Sequence, residues 1–234
     1  MLNSSVICII PARGGSKGIK RKNLKLVNGI SLIHRTINDA KASGVVDTIL
    51  VSTDDKEIAQ KAKDAGAEVP FIRPKDLSED LSTTEETLQH ALLTYESLTS
   101  KKFDICVFLA PTNIFRNKSW IKEVVHKLLQ NPDLESVFVG YKSKKNYWEK
   151  DSQGKWTRLR PWMASYSSRQ IRESIIREDT GIACASRADL WRKGRRIGDN
   201  VEIITNDDSF TFIDIHEDED LRLADSAIKI RSES

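Results

Sequence analysis

The sequence predicts an α/β protein, a three-layer α/β/α sandwich around a mostly parallel sheet, and three observations predict it. Short apolar runs such as Val6-Ile7-Cys8-Ile9-Ile10 recur between segments of helical apolar spacing. The runs are continuously apolar rather than alternating, as strands buried on both faces must be. Strands and helices take turns along the chain, the order that lays helices on both faces of a parallel sheet.

The first strand falls at Ser5 to Ile10, bounded by Pro11 and the glycines that follow. Ile33, Ile37 and Ala40 share one helical face, and Thr48 to Ser52 reads as the next buried strand. Asp54 and Glu57 have capping-box spacing, which predicts Asp54 as the N-cap of the following helix; Thr83 and Glu86 repeat the pattern. Ile105 to Leu109 and Ser136 to Val139 are further strands, separated by a helix carrying Ile121, Val124, Val125 and Leu128. Between about 141 and 178 the periodicity fades into Lys142, Lys144, Lys145, Trp148, Trp156, Arg158, Arg160 and Trp162. This stretch reads as an insertion in a single domain spanning 1–234, its tryptophans as packing residues and its lysines as a solvated face. Gly181 to Ala185, Val201 to Ile204 and Phe210 to Ile215 resume the strands, and a helix from Glu217 to about Ile230 closes the chain.

A chain of 234 residues, 39% hydrophobic and 30% charged, can bury a large core without disulfides or structural metal. No apolar run approaches the roughly 20 residues that span a bilayer, and Met1 to Ser5 lacks a basic leader region, so neither membrane insertion nor a signal peptide is expected. A net charge of +3 does not by itself make a nucleic-acid footprint, which leaves a small molecule as the expected partner. Lys193-Gly194-Arg195-Arg196 reads as another solvated basic face. Cys8, Cys106 and Cys184 sit singly in apolar stretches without C-x-x-C spacing, which predicts buried thiols in a reducing compartment, the cytoplasm.

The chemistry concentrates in Ile10-Pro11-Ala12-Arg13-Gly14-Gly15-Ser16-Lys17-Gly18 and onward to Asn23, directly after the first strand. Ligands of open α/β sheets bind beyond the carboxyl ends of strands. Glycines let backbone amides approach an anion, and Arg13 and Lys17 add two positive charges, so a triphosphate is the guest that fits. The segment is neither G-x-x-x-x-G-K-[ST] nor G-x-G-x-x-G, and the ATPase and dinucleotide readings lose their motif. Near the C-terminus, Asp214 and His216 stand two residues apart after an apolar run; on a strand they would face one way, as carboxylates sharing one Mg2+ do. Neutral imidazole is a poorer Mg2+ ligand than carboxylate, so His216 holds a water of the metal's shell, favours a softer metal such as Mn2+, or only packs. The acidic run Glu217 to Asp220 suits the positive start of the last helix.

IPARGGSKG followed by KN, VSTDD at a strand end, Arg73-Pro74 with Ser82-Thr83-Thr84 downstream, Pro111-Thr112, Arg169-Gln170, Glu178-Asp179-Thr180-Gly181 and Ile213-Asp214-Ile215 occur in that order. In these motifs, over nearly its full length, the chain resembles the cytidylyltransferases that make CMP-sialic acid and related CMP-nonulosonates. The resemblance implies a Rossmann-like sheet of the nucleotide-diphospho-sugar transferase type, CTP and an acidic 2-keto sugar as substrates, a divalent metal, and a homodimer built through the 141–178 insertion. It implies that Ala12, Arg13, Lys17, Asn23, Arg73, Ser82 and Thr84 bind the nucleotide, Lys17 also neutralising the departing pyrophosphate. It implies that Arg169 and Arg177 face the sugar, that Lys17, Arg169 and Asp214 carry the catalysis, and that Asp214, with His216, meets the metal.

The residues alone leave some roles open. Thr83 and Thr84 can simply cap a helix, and Arg73 before Pro74 can be a surface turn. Arg169 can grip a C1 carboxylate with its planar fork or stabilise charge on the reacting phosphate. Arg172, three residues on, would share its face on a helix. Two positions depart from the family pattern. His216 stands where family members carry a second aspartate, and Ala110 stands where those handling sialic acid carry glutamine before Pro-Thr or Ala-Thr, which points to a different acceptor such as a legionaminic, pseudaminic or deaminated acid. The expected reaction is attack of the acceptor's anomeric hydroxyl on the α-phosphorus of CTP with loss of pyrophosphate, driven by positioning and charge neutralisation. The competing readings are a GTP-dependent sugar 1-phosphate nucleotidyltransferase and a non-catalytic nucleotide- or nucleic-acid-binding module.

Overall fold

The computed structural model describes residues 4–16, 18–79, 82–168 and 170–232. Along them run β1 (Val6–Pro11), β2 (Leu26–Val27), β3 (Ile30–Ser31), α1 (Leu32–Ala42), β4 (Thr48–Ser52), α2 (Lys56–Asp64), α3 (Thr84–Thr99), β5 (Ile105–Phe108) and α4 (Lys118–Gln130). Then follow β6 (Ser136–Ser143), β7 (Trp148–Lys150), β8 (Trp156–Arg158), β9 (Ile175–Glu178), β10 (Cys184–Arg187), α5 (Ala188–Arg192), β11 (Val201–Asn206) and α6 (Asp218–Ser232).

The two-residue period of β1 sets up the three layers. Val6, Cys8 and Ile10 join one buried cluster, where they meet Ile33 and Ile37 of α1, Ile58 of α2 and Val124 of α4. Ile7 and Ile9 point the other way, into a cluster with Leu88, Leu92 and Tyr95 of α3 and Trp191 of α5. The sheet between them has the order β11-β6-β10-β5-β1-β4, with β9 paired to the far end of β6. β1, β4, β5, β6 and β11 run one way, and β10 and β9 run against them. The mostly parallel α/β/α sandwich expected from the apolar runs is the observed fold. Among the described residues no helix is long and apolar enough to cross a membrane. The three cysteines are buried and free, and burial pushes the thiols of Cys8 and Cys184 up to about 12, so neither supplies a thiolate at neutral pH.

Several local expectations are corrected. The N-cap of α2 is Asp55, whose carboxylate accepts the Glu57 and Ile58 amides at 2.8 and 3.0 Å; Asp54 is drawn away to another partner. Phe210 to Ile215 is not a strand. Asp208 caps a single 3₁₀ turn there, and Phe210 stacks on Phe115 at 5.5 Å, so packing under α6 rather than sheet pairing explains the apolar run. Arg172 lies on no helix, but in a turn leading to β9. Trp148 and Trp156 are not packed inside. They sit on the two-stranded β7–β8 ribbon, 49% and 59% exposed, with the Arg158 guanidinium 4.4 Å over Trp148 and the Lys150 ammonium 5.1 Å over Trp156.

One buried cation ties the edge of the sheet together. The Arg116 side chain, shut off from solvent, donates to the carbonyls of Ala110, Gly181 and Ile182 and pairs with Asp39 of α1 at 3.1 Å. A guanidinium taken out of water is tolerable only with such a set of acceptors. Arg116→Met should therefore lower unfolding free energy by about 3–5 kcal/mol: the Asp39 carboxylate and the Ile182 carbonyl lose their buried cation, while the Ala110 and Gly181 carbonyls keep only the Asn113 and Ala110 amides. Asp39→Asn should cost less, because the carbonyls remain; urea denaturation of both variants measures the difference.

Candidate active site

The carboxyl ends of β1, β4, β5 and β6 open on one edge of the sheet, and the glycine-rich loop leaves β1 at that edge. Ala12, buried, continues the ladder by donating its amide to the Ser52 carbonyl at 2.9 Å. The loop then turns under side-chain control. Asp54 accepts the Gly14 amide at 2.8 Å, and the buried Asn23 donates its side-chain amide to the Arg13 carbonyl at 3.0 Å. Asn23 thus braces the loop from behind. Gly14 is needed for closeness: a Cβ there would stand 2.7 Å from the Cβ of Asp55. A Cβ on Gly18 would run into the His216 carbonyl oxygen, so the loop and the Asp214 segment lie back to back.

Beside the loop is a cavity of about 290 Å³, lined by Pro11, Arg13, Arg73, Ser82, Thr84 and Thr87 among others. Arg73 is no surface turn: it is 4% exposed, donates to the Ser78 hydroxyl at 3.0 Å and stands 3.9 Å from Asp54. Burial pushes its guanidinium pKa down from the ordinary value, and Asp54 pushes back. Thr83 is the helix cap, in a full capping box with Glu86, while Thr84 lies in the first turn of α3 and faces the cavity. Ser82 is anchored to the Asp76 carbonyl at 2.6 Å. The structure thus gathers Ala12, Arg13, Asn23, Arg73, Ser82 and Thr84 at one end of the sheet, a polar pocket with cationic walls fit for a nucleotide. Lys17 and Arg169 lie outside the described residues.

The Asp214 segment is fastened to this edge from two sides. The Ile215 amide donates to the Thr112 carbonyl at 3.3 Å, and the Lys22 ammonium donates to the Ile215 carbonyl at 2.7 Å. Burial lowers the Lys22 pKa, with Asp214 opposing the shift. One carboxylate oxygen of Asp214 meets His216 Nε2 at 2.9 Å; the other, Oδ1, is buried with no hydrogen-bond partner. That orphaned oxygen fits a cation. Among the described residues no three acidic, cysteine or histidine side chains converge as ligands, so a divalent ion held here would need oxygens from water and a bound phosphate, as Mg2+ ordinarily does.

Arg177 is already engaged. Its guanidinium grips Asp179 bidentately at 2.7 and 2.8 Å and lies 4.2 Å over the Phe212 ring, so a sugar carboxylate would have to displace Asp179. Nearby, Tyr141, Lys142, Lys144, Lys145, Gln170 and Phe212 line a cavity of about 670 Å³ at the distal end of β6; Lys142 and Lys145 are exposed there, as a solvated face requires. Sequence reasoning also missed Arg116, Lys22 and Arg196. Arg196 was read as part of a solvated cluster, yet only 19% of its side chain is exposed and it lies 5.3 Å over the Phe108 ring at the end of β5. No local spacing marks these three, because their partners are distant in sequence.

The profile of a family described as cytidylyltransferase matches residues 7–208. The chain is 39% identical over 125 residues to a pseudaminic acid cytidylyltransferase of Campylobacter jejuni and 38% identical over 125 residues to a CMP-N,N'-diacetyllegionaminic acid synthase of Legionella pneumophila. Each match covers 53% of this chain and spans about half the relative, 53% of its length. A post-translational flagellin modification protein B of Campylobacter coli is 27% identical over 227 residues, 97% of this chain and 96% of that protein. The fold is similar to that of a CMP:2-keto-3-deoxy-manno-octonic acid synthetase solved with CTP, with a TM-score of 0.69, 14% identity, and coverage of 97% of this chain and 100% of that one.

The capping box beside the cavity gives a pH signature. The Thr83 backbone amide and hydroxyl both bond the Glu86 carboxylate and hold its pKa below the usual value. A depressed folded-state pKa adds stability that is complete above the unfolded value of about 4.3 and is lost as pH falls through the lower folded value. Thr83→Ala should cost about 1 kcal/mol at neutral pH. In urea denaturation run from pH 7 down to 3, the gap between wild type and variant should narrow at the acid end.

Proposed function

Because the chain belongs to the cytidylyltransferase family, we propose that it joins CMP from CTP to the anomeric hydroxyl of a sialic-acid-like nonulosonic acid, releasing pyrophosphate. The observation that carries this reading is the braced, cationic glycine loop opening onto the Arg73 cavity at the carboxyl edge of the sheet. The base and ribose occupy that cavity against Arg73, Ser82 and Thr84. The triphosphate lies along the loop amides with Arg13 and Lys17, and Lys17 neutralises the departing pyrophosphate. Asp214 Oδ1 holds a divalent ion, Mg2+ or Mn2+, which when bound supplies positive charge against the phosphates. Arg169 and Arg177 belong to the sugar side. The acceptor oxygen forms its bond to the α-phosphorus as the bond to the bridging oxygen of pyrophosphate breaks, so the chain's work is positioning and charge neutralisation.

The same reading gives the exposed Trp148 and Trp156 a cover: the β7–β8 ribbon joins two copies in a homodimer, in the cytoplasm, where the free thiols stay reduced. Replacing both tryptophans with serine should convert a dimer into a monomer in light scattering.

Pyrophosphate release with Mg2+ tests the reaction, crossing CTP, GTP, UTP and ATP against pseudaminic, N,N'-diacetyllegionaminic and N-acetylneuraminic acids, Kdo and sugar 1-phosphates. Release with CTP and one 2-keto acid is expected; release with GTP and a sugar 1-phosphate would overturn the reading. Lys17→Ala should cut turnover by roughly 10²–10³-fold with the melting temperature unchanged, and wild-type turnover by that variant would remove Lys17 from its role.

A further inference from the structure

Arg196, with 19% of its side chain exposed, is loosely held by its carboxylates, as Arg73 is by Asp54 at 3.9 Å. Arg21, Arg177 and Arg192 meet their carboxylates at 2.9, 2.7 and 2.6 Å. Arg196 approaches Glu85 and Glu178 only to 3.4 and 3.5 Å, both of them partly exposed carboxylates. Its buried Nε faces Glu85 at that 3.4 Å without making a hydrogen bond to it. The backbone is fixed, since the Arg196 carbonyl accepts the Ser186 hydroxyl at 2.6 Å and the Trp191 indole N–H at 3.1 Å. A guanidinium fixed at its root, laid over the Phe108 ring and under-bonded at its head has donors to spare for another planar anion.

Its position says which anion. Glu85 is in the first turn of α3, next to Thr84 of the nucleotide cavity, and Glu178 ends β9 just before Thr180 and Gly181. Phe108 is the last residue of β5, paired with Ile9 of β1 on one side and with Cys184 of β10 on the other. The glycine loop leaves β1, the neighbour of β5, so Arg196 at the end of β5 stands one strand from that loop and beside Thr84 of the nucleotide cavity, where an acceptor bound next to the nucleotide would lie. Arg177, the other described arginine on that side proposed for the sugar, is saturated by Asp179.

We propose that Arg196 is a specificity-determining residue that binds the carboxylate of the sugar-acid acceptor, exchanging its long contact with Glu178 for a close one. This rests on the cytidylyltransferase reading above and adds to it the group that selects an acid over a neutral sugar. A carboxylate matches the planar fork, whereas a lysine supplies charge without the fork.

The test compares binding of the nonulosonic acid that wild type binds best, drawn from pseudaminic, N,N'-diacetyllegionaminic and N-acetylneuraminic acids, with binding of its C1 amide. Ligand-observed NMR titration on wild type, Arg196→Lys and Arg196→Gln gives each dissociation constant, and CTP titration and the melting temperature serve as controls. Wild type should prefer the acid by about thirtyfold. Arg196→Gln should erase that preference while CTP affinity and melting temperature hold, and Arg196→Lys should restore only part of it. A purely structural role would not change the ratio of acid to amide. If Arg196→Gln keeps the wild-type ratio, or loses CTP affinity to the same extent, the proposal is overturned and the catalytic reading stands. If wild type binds none of the acids, both fall together.

Discussion

A parallel sheet ends at its carboxyl edge in loops whose amides and carbonyls have no ladder to join, and the site in this chain depends on how those groups are tied. Arg116 gathers the carbonyls of Ala110, Gly181 and Ile182 around one buried charge. Asp54 and Asn23 hold the two ends of the turn at Arg13 and Gly14. The Thr112 carbonyl and the Lys22 ammonium fasten Ile215 and with it Asp214. Each tie uses a polar group that would be costly if left unpaired, so stability and site geometry come from the same bonds.

Charge is arranged along this edge in a graded way. Arg116 is fully satisfied and structural; Arg73 is buried but opens one side to a cavity; Arg177 is closed by Asp179; Arg196 keeps a donor unmet. Cations held in low dielectric interact strongly with anions that enter, and being fixed beforehand they need little reorganisation when charge moves. Removing water from the site costs less when the protein side is already rigid.

Much of this was legible in the sequence where the physics is local. The apolar runs give the strands and the two faces of β1, and the capping box at Thr83 and Glu86 stands as read. The glycine loop is visible because glycines and basic residues directly after a strand have few other uses. Reading failed where partners are far apart in the chain. Asp54 looked like a cap because its spacing to Glu57 is right, but Gly14, forty residues back, claims its carboxylate. Phe210 to Ile215 looked like a strand because it is apolar, and Phe210, Ile213 and Ile215 do pack, though under a helix. Arg196 looked like surface because Lys193 and Arg195 beside it are. The exposed tryptophans were misread for the converse reason: a two-stranded ribbon has no second layer within one chain to bury them.

The measurement that tests the central claim most directly is a crystal structure with CTP and Mg2+. The account predicts the triphosphate along the Arg13 to Gly18 loop, the cytosine beside Arg73 and Ser82, and the metal on Asp214. A nucleotide seated in the lysine-lined cavity at the end of β6, with the glycine loop empty, would contradict it.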